Sequence, residues 1–122
     1  MTPRQTISIL LVDGDETLQG LRTLMLRLRG YRVERAASLE AARERIAEQG
    51  FGLVLIDVQK FPEIHLDFCE ELKAAQPGVK VAFLANHTLY LPPDSCPDEV
   101  ISRQDGPEQF LTEVDKLVGA AA

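Results

Sequence analysis

The sequence is short of the residues that mark several specialised classes of protein. Its 122 residues include two cysteines and no tryptophan, and aromatic residues make up 6% of the chain. Two cysteines do not form the disulfide framework of a small secreted domain, and no Cys/His spacing of a zinc site accompanies them. We expect Cys69 to be a small core residue in a helix and Cys96, in a proline-rich segment, to be a free thiol.

Long apolar runs and an excess of positive charge are also missing. No run approaches the roughly 20 apolar residues that span a bilayer, and Met1–Ile7 lacks the apolar centre of a signal peptide. Acidic residues outnumber basic ones by 19 to 13, giving a net charge of -6, whereas a nucleic-acid surface needs a basic footprint. The sequence therefore predicts a cytoplasmic protein with no direct contact to membrane or nucleic acid. Its apolar content of 45% is ample for one core in one domain.

Apolar stretches typical of strands alternate with helical patterns along the chain. The strand signals are Ile7–Val12, Tyr31–Ala36, Leu53–Ile56, Lys80–Ala85 and a short stretch around Val100 and Ile101. Because strand signals alternate with helical ones, except after the fourth strand, the order predicts a single doubly wound α/β domain with a five-stranded parallel sheet and helices on both faces.

The helices are indicated by spacing and by their end residues. The markers, in chain order, are Leu18, Leu21, Met25 and Leu28 before Gly30; Ser38 as a cap before Leu39, Ala42 and Ile46; Phe68, Cys69 and Leu72; and Pro107 in the first turn of the last helix. Three prolines between Asn86 and Asp98 leave little room for a regular helix. The fourth crossover helix is therefore predicted to be shortened or lost.

Carboxylates follow two of the predicted strands at the point where each strand ends. Asp57 follows Leu53–Ile56, while Ile7–Val12 leads directly into Asp13 and Asp15. Ligands of open α/β sheets bind in the crevice outside the carboxyl ends of the strands. Because carboxylate oxygens are the natural ligands of hard cations such as magnesium, the pattern predicts a cation-binding pocket at this edge.

The chain resembles the receiver domains of bacterial response regulators, which have the flavodoxin-like fold of the chemotaxis regulator. The segments that carry the resemblance are Ile9–Asp13, Gly30–Val33, Phe51–Asp57 and Pro77–Leu84. The resemblance covers almost the whole chain and implies a single receiver domain over residues 1–122. It also implies that Asp57 accepts a phosphoryl group from a histidine kinase or phosphotransfer protein. Asp13 then helps to hold magnesium, and a downstream protein or effector domain receives the signal.

Several positions depart from the pattern of the family. The second acidic residue after the first strand is Gly14, and Asp15, one residue later, is its candidate replacement. The hydroxyl residue that ends the fourth strand of the family is Ala85 here, and the aromatic switch residue is Val100. Asp13, Asp57 and Asp15 remain the predicted metal ligands, and magnesium binding is expected to be weak or absent because this ion demands near-ideal octahedral geometry.

The lysine that ends the fifth strand in the family is Arg103 in this chain. Two roles for Arg103 remain open. It could clamp the phosphoryl group with its planar fork of donors, or it could pair permanently with Asp57 and Asp13 in place of a metal ion. Asp15 is a candidate cap for the first helix as well as a candidate ligand. The other arginines of the first two helices, Arg22 among them, are predicted to lie on solvated faces.

Three functions follow, in order of preference. The first is a phosphoaccepting receiver domain, a signalling protein rather than an enzyme. The second is a pseudo-receiver that binds its partner without phosphorylation, through the surface around Leu89–Pro97 and the last helix. The third rests on Leu10–Leu18, which resembles the Asp-x-Asp-x-Thr motif of haloacid-dehalogenase-type phosphatases with Asp13 as nucleophile. That motif stands without the other motifs of the family and is a weak signal.

Overall fold

A computed structural model describes residues 3–58, 62–86, 91 and 94–120 of the chain. Five parallel strands form one sheet in the order β2-β1-β3-β4-β5. The strands are β1 (Ser8–Val12), β2 (Arg32–Ala36), β3 (Leu53–Asp57), β4 (Lys80–Ala85) and β5 (Glu99–Ser102). The predicted doubly wound α/β fold is confirmed, and each strand lies within a few residues of its predicted position.

In the described part of the chain, three helices connect successive strands and a fourth follows β5. They are α1 (Glu16–Leu28), α2 (Leu39–Glu48), α3 (Glu63–Ala75) and α4 (Pro107–Val118), and a turn of 3-10 helix, Arg4–Thr6, precedes β1. Ser38 caps α2 by accepting a hydrogen bond from the Ala41 amide, as its sequence position predicts. Between β4 and β5 no helix appears among the described residues, which agrees with the prediction for the fourth crossover.

The sheet separates two apolar clusters because alternate residues of a strand point to opposite faces. In β1, Ile9 and Leu11 enter the cluster under α1 and α4, whereas Leu10 and Val12 enter the cluster under α2 and α3. A strand that is buried on both faces must be apolar at every position. This explains why the interior strands appear in the sequence as continuous apolar runs rather than as alternating ones.

Helix α1 has a buried face and a solvent-exposed face, and four of its five leucines lie on the exposed one. The residues buried against the rest of the domain are Gln19, Arg22, Thr23 and Leu26. Of the residues whose spacing predicted the helix, Leu18, Leu21 and Leu28 are 38%, 53% and 78% exposed, whereas Met25 is partly buried against the core. Leu24 is a further exposed leucine, at 54%. The helix itself was predicted correctly, but it packs on the sheet through a mostly polar stripe.

Asp115 of α4 joins three distant parts of the chain. It accepts hydrogen bonds from Arg4 at 2.9 and 3.1 Å, from Arg29 at 2.7 and 3.1 Å, and from the hydroxyl of Tyr31. These donors come from the 3-10 turn, from the end of α1 and from the residue before β2. The cluster therefore fastens α4 to the N-terminal half of the domain.

No helix of the described residues is long and apolar enough to cross a membrane.

Candidate functional site

The site lies at the carboxyl edge of the sheet, where four strands end at similar height. The register aligns Val12 of β1 with Ile56 of β3, Asp57 with Leu84 of β4, and Ala85 with Ser102 of β5. Asp13 follows β1, Asp57 is the last residue of β3, and Arg103 follows β5. The sheet therefore brings together three of the four residues that the sequence singled out, and Asp15 lies two residues beyond Asp13.

Asp57 is held by an arginine. The Oδ1 atom of Asp57 is 2.6 Å from a terminal nitrogen of Arg103, and the Asp57 side chain is only 4% exposed. The same guanidinium donates a hydrogen bond of 2.8 Å to the carbonyl oxygen of Val58. The Arg103 amide in turn donates to the Ala85 carbonyl at 2.9 Å, which fixes the start of the arginine against the end of β4. Arg103 thus pairs with the candidate phosphoacceptor.

Asp13 is held by a different arginine. Its Oδ2 atom is 2.6 Å from Nη1 of Arg22, and the Asp13 side chain is fully buried. Its Oδ1 atom accepts a hydrogen bond of 2.9 Å from the Asp15 amide. The prediction that Arg22 lies on a solvated helix face was therefore wrong, since α1 turns its polar stripe inward. The predicted structural tie of Asp13 to an arginine exists, but Arg22 rather than Arg103 provides it.

Asp15 behaves as a helix cap. Its side chain accepts a hydrogen bond of 3.0 Å from the Leu18 amide at the start of α1. The capping geometry stabilises the first turn because it satisfies an amide that has no partner inside the helix. Asp15 is therefore exposed at the rim and oriented to its own helix.

The environment of Asp13 is costly for a negative charge. Burial raises the pKa of Asp13 above its ordinary value, and the charges of Asp57 and Asp15 raise it further. The hydrogen bond from the Asp15 amide and the positive charge of Arg22 lower that pKa, but the net direction is upward. An ionised Asp13 thus depends on the cation that contacts it.

The side chains do not form a magnesium site. Among residues 3–58, 62–86 and 94–120 there is no group of three or more His, Cys, Asp or Glu side chains that could hold a metal ion. Gly14 supplies no side-chain oxygen, Asp15 caps α1, and Asp13 and Asp57 each contact a guanidinium at 2.6 Å. Magnesium requires several oxygens in near-octahedral geometry. The residues present do not fit the ion.

Sequence reasoning missed Arg22 and Gln19. Gln19 is buried and its amide nitrogen donates to the carbonyl oxygens of Asp13 and Ala36, both at 3.0 Å. Gln19, Arg22, Thr23 and Leu26 follow the i, i+3, i+4, i+7 spacing of one helix face. That spacing was available in the sequence, but the leucines of the same helix have the same period and are more apolar.

The domain is doubly wound and has paired acidic and basic side chains at the carboxyl edge of its sheet. It belongs to the class of flavodoxin-like α/β proteins. A family model described as response regulator receiver domain matches residues 9–90. The chain belongs to this family, whose members act in two-component signalling. As a class, receiver domains are signalling domains rather than enzymes, and they typically bind Mg2+ at the phosphorylation site.

The chain is similar to parts of longer regulators. It is 33% identical over 109 residues to the transcriptional regulatory protein GlrR of Escherichia coli strain K12, and equally to QseF of Escherichia coli O157:H7. These alignments cover 88% of this chain but 23% of either relative. The chain therefore spans about a quarter of the length of the curated relatives it matches.

Several solved structures share the fold. A receiver domain protein from Methanospirillum hungatei is 23% identical, with a TM-score of 0.79 over 93% of this chain and 94% of that one. TrrA of Thermotoga maritima, solved in complex with Mg(2+)-BeF, is 24% identical, with a TM-score of 0.79 over 91% and 98% of the two chains. A pilus assembly-related protein of Burkholderia pseudomallei reaches a TM-score of 0.82 at 15% identity, over 100% and 97%.

Proposed function

We propose that this chain is a receiver domain that signals through protein contacts and does not require phosphoryl transfer to Asp57. The observation that carries the proposal is the double pairing of the acidic edge. Arg103 holds Asp57 and Arg22 holds Asp13, each at 2.6 Å. The two carboxylates that would attract magnesium are already neutralised by side chains of the same chain.

The pairing also opposes phosphoryl transfer because it leaves the Asp57 carboxylate little exposed to a phosphodonor. Attack on a phosphoryl group requires an accessible oxygen of Asp57, whereas its side chain is 4% exposed and its Oδ1 atom contacts Arg103. In-line transfer further depends on positive charge that neutralises the phosphoryl oxygens, a role that metal ions commonly perform. Because the residues do not form a magnesium site, that stabilisation would have to come from Arg103.

The residues that would transmit a phosphorylation signal are also altered. Ala85 is buried at the end of β4 and has no hydroxyl to donate to a phosphoryl oxygen. Val100 is 38% exposed on β5 and has no ring that could swing inward. A ligand shifts a conformational equilibrium only through different interactions with the two states. Phosphorylation would therefore have few contacts through which to favour one conformation.

A phosphoaccepting receiver remains the second candidate, and the position of Asp57 favours it. Asp57 is the last residue of β3, the position of the family phosphoacceptor. In that case Arg103 would turn from Asp57 to the incoming phosphoryl group and clamp it bidentately. The phosphatase alternative has weaker support, because the fully buried Asp13 carboxylate is paired with Arg22 and is not presented to a substrate.

The partners follow from the family. We propose a histidine kinase or phosphotransfer protein on the input side and a downstream protein or effector domain on the output side, in the cytoplasm, with residues 1–122 as one receiver domain. Of the predicted contact surface around Leu89–Pro97, residues 89, 90, 92 and 93 lie outside the described residues. The exposed leucines of α1 offer another surface, because contiguous exposed apolar side chains commonly mark protein contacts.

Phosphate incorporation tests the proposal. With acetyl phosphate and magnesium, we expect the wild type to be phosphorylated about a hundredfold more slowly than a receiver domain with a complete site, since losing oriented charge at a reacting centre costs about that much. Intact-protein mass spectrometry measures the product, and Asp57→Asn is the blank. A Gly14→Asp/Arg103→Lys variant, which restores two family residues, should be faster than the wild type. Rapid labelling of wild-type Asp57 would favour the second candidate.

A further inference from the structure

The two cysteines of the chain belong to the same apolar cluster. Cys69 lies on α3 and is completely buried, whereas Cys96 lies in the segment before β5 and packs against the cluster with part of its surface exposed. Both are free thiols. They are 27 positions apart in the sequence, so the fold and not the local sequence brings them to one place.

Asp98 holds the segment around Cys96 against α3 and β4. Its carboxylate accepts hydrogen bonds from Lys73 at 2.7 Å and from the Val81 amide at 2.8 Å, and its own amide donates to the Val81 carbonyl at 2.8 Å. Lys73 is four residues after Cys69 on α3, a spacing that makes them neighbours on one helix face. Cys96 is two residues before Asp98, a span of at most about 7 Å. The ion pair thus places Cys96 beside the turn of α3 that carries Cys69.

The two thiols differ in their reactivity. Burial raises the pKa of the Cys69 thiol, and its interaction with the Cys96 thiol raises that pKa further. The thiolate is the reactive form of cysteine, so a buried thiol with a raised pKa is a slow nucleophile. Cys96 is partly exposed and is open to a small oxidant. This difference assigns the first reaction to Cys96 and the second to Cys69.

We propose that Cys69 and Cys96 form a reversible disulfide that ties the segment before β5 to α3, with a low-molecular-weight disulfide such as oxidised glutathione as the oxidant. The Cys96 thiolate attacks one sulfur of the oxidant, whose S–S bond breaks, and the leaving thiolate takes up the proton that Cys96 lost. The Cys69 thiol then gives up its proton and attacks the Cys96 sulfur, which releases the second small thiol. The two protein thiols are oxidised by two electrons, and the oxidant is reduced to two thiols.

The proposed bridge lies apart from the acidic edge. Val81 is the second residue of β4, and parallel strands begin at the edge of the sheet opposite to the one at which Asp57 ends β3. The bridge connects α3 to part of the predicted contact surface around Leu89–Pro97. Oxidation therefore fixes the position of that part, and this control by redox state does not depend on whether Asp57 accepts a phosphoryl group.

Equilibration of the full chain with mixtures of reduced and oxidised glutathione tests the proposal. After an acid quench, intact-protein mass spectrometry should show a main oxidised product that lacks two hydrogens and carries no glutathione. After alkylation and digestion with trypsin, the bridge should join residues 61–73 to residues 81–103. Cys69→Ala is the matched control and should retain one glutathione on Cys96. Cys96→Ser should react more slowly than Cys69→Ala by about tenfold or more, because its remaining thiol is buried.

The same titration in concentrated guanidinium chloride separates a pair positioned by the fold from two thiols that meet by chance. The effective concentration of one thiol towards the other should be higher in the folded chain than in the unfolded chain by about tenfold or more, because a bridge that fits the native geometry is favoured by folding. Equal or lower values in the folded chain overturn the proposal. A folded wild type that accumulates only the glutathione adduct, or that forms disulfides only between chains, overturns it too.

Discussion

Replacing Asp115 with alanine is expected to lower the free energy of unfolding by about 3 kcal/mol, since hydrogen bonds to charged groups contribute about 1.5–3 kcal/mol each. The expected loss is smaller than the sum over the individual hydrogen bonds because the cluster is partly exposed to water. Arg29 and Tyr31 lose their acceptor at the same time, and α4 loses its tie to the N-terminal half. For a chain of this length the loss corresponds to roughly 10 °C in melting temperature.

Urea unfolding and calorimetry measure this effect, and Asp67→Ala is the matched control. Asp67 is an exposed residue of α3, and its replacement should change stability by less than about 0.5 kcal/mol. A loss of similar size in both variants would mean that the Asp115 cluster contributes no more than an ordinary surface charge.

The same residue should make stability depend on acid. Burial alone would raise the pKa of Asp115, but hydrogen bonds from Arg4, Tyr31 and Arg29 lower it to about 2. In the unfolded chain an aspartate has a pKa of about 3.9. The stabilisation is therefore fully present above that value and is lost as the pH falls from about 4 towards 2. The difference in stability between wild type and Asp115→Asn should shrink over this range.

The sequence predicted those parts of the fold that depend on local patterns. β3 is buried on both faces, so its run of apolar residues identifies it without any knowledge of its neighbours. Ser38 begins α2 because its hydroxyl satisfies a free amide three residues later. The carboxylates at the ends of β1 and β3 were predicted to meet because parallel strands end at the same edge.

Contacts between distant residues could not be predicted in this way. Arg4 and Asp115 are 111 positions apart, and nothing near either residue identifies the other as its partner. The choice between Arg22 and Arg103 as the partner of Asp13 depends on how α1 is rotated about its axis. A helix with one apolar and one polar stripe normally buries the apolar one. In α1 the polar stripe is buried instead, because Arg22 on that stripe pairs with Asp13 at the acidic edge of the sheet.

The rotation of α1 has a functional consequence. By turning Arg22 inward, the helix turns four of its five leucines outward. The exposed Leu18, Leu21 and Leu28 follow, together with the partly buried Met25, a three-four-three spacing, which is the pattern of a seam between two packed helices. The closure of the acidic site and the exposure of this surface are therefore two results of one orientation. We propose a helical segment of a partner protein as the occupant that this spacing fits.

Binding of the proposed kinase or phosphotransfer partner should distinguish the α1 surface from the acidic site. We expect Leu21→Glu/Leu28→Glu to weaken the complex by more than tenfold, about 1.4 kcal/mol or more, because burying a leucine contributes about 1.5–3 kcal/mol and burying a glutamate opposes binding. Since Leu21 is 53% and Leu28 78% exposed, the melting temperature should change little. Asp57→Asn should leave the affinity within about threefold, or ~0.7 kcal/mol.

Titration calorimetry or biolayer interferometry with the purified partner measures both effects. Ala47→Glu/Ala74→Glu is the matched control, because it adds the same charge at exposed positions of α2 and α3. If the control weakens binding as much as the α1 variant, added charge alone is responsible. If Asp57→Asn causes the large loss in a folded protein while the α1 variant binds normally, the complex depends on the acidic site, and phosphoryl transfer to Asp57 becomes the better account of the function.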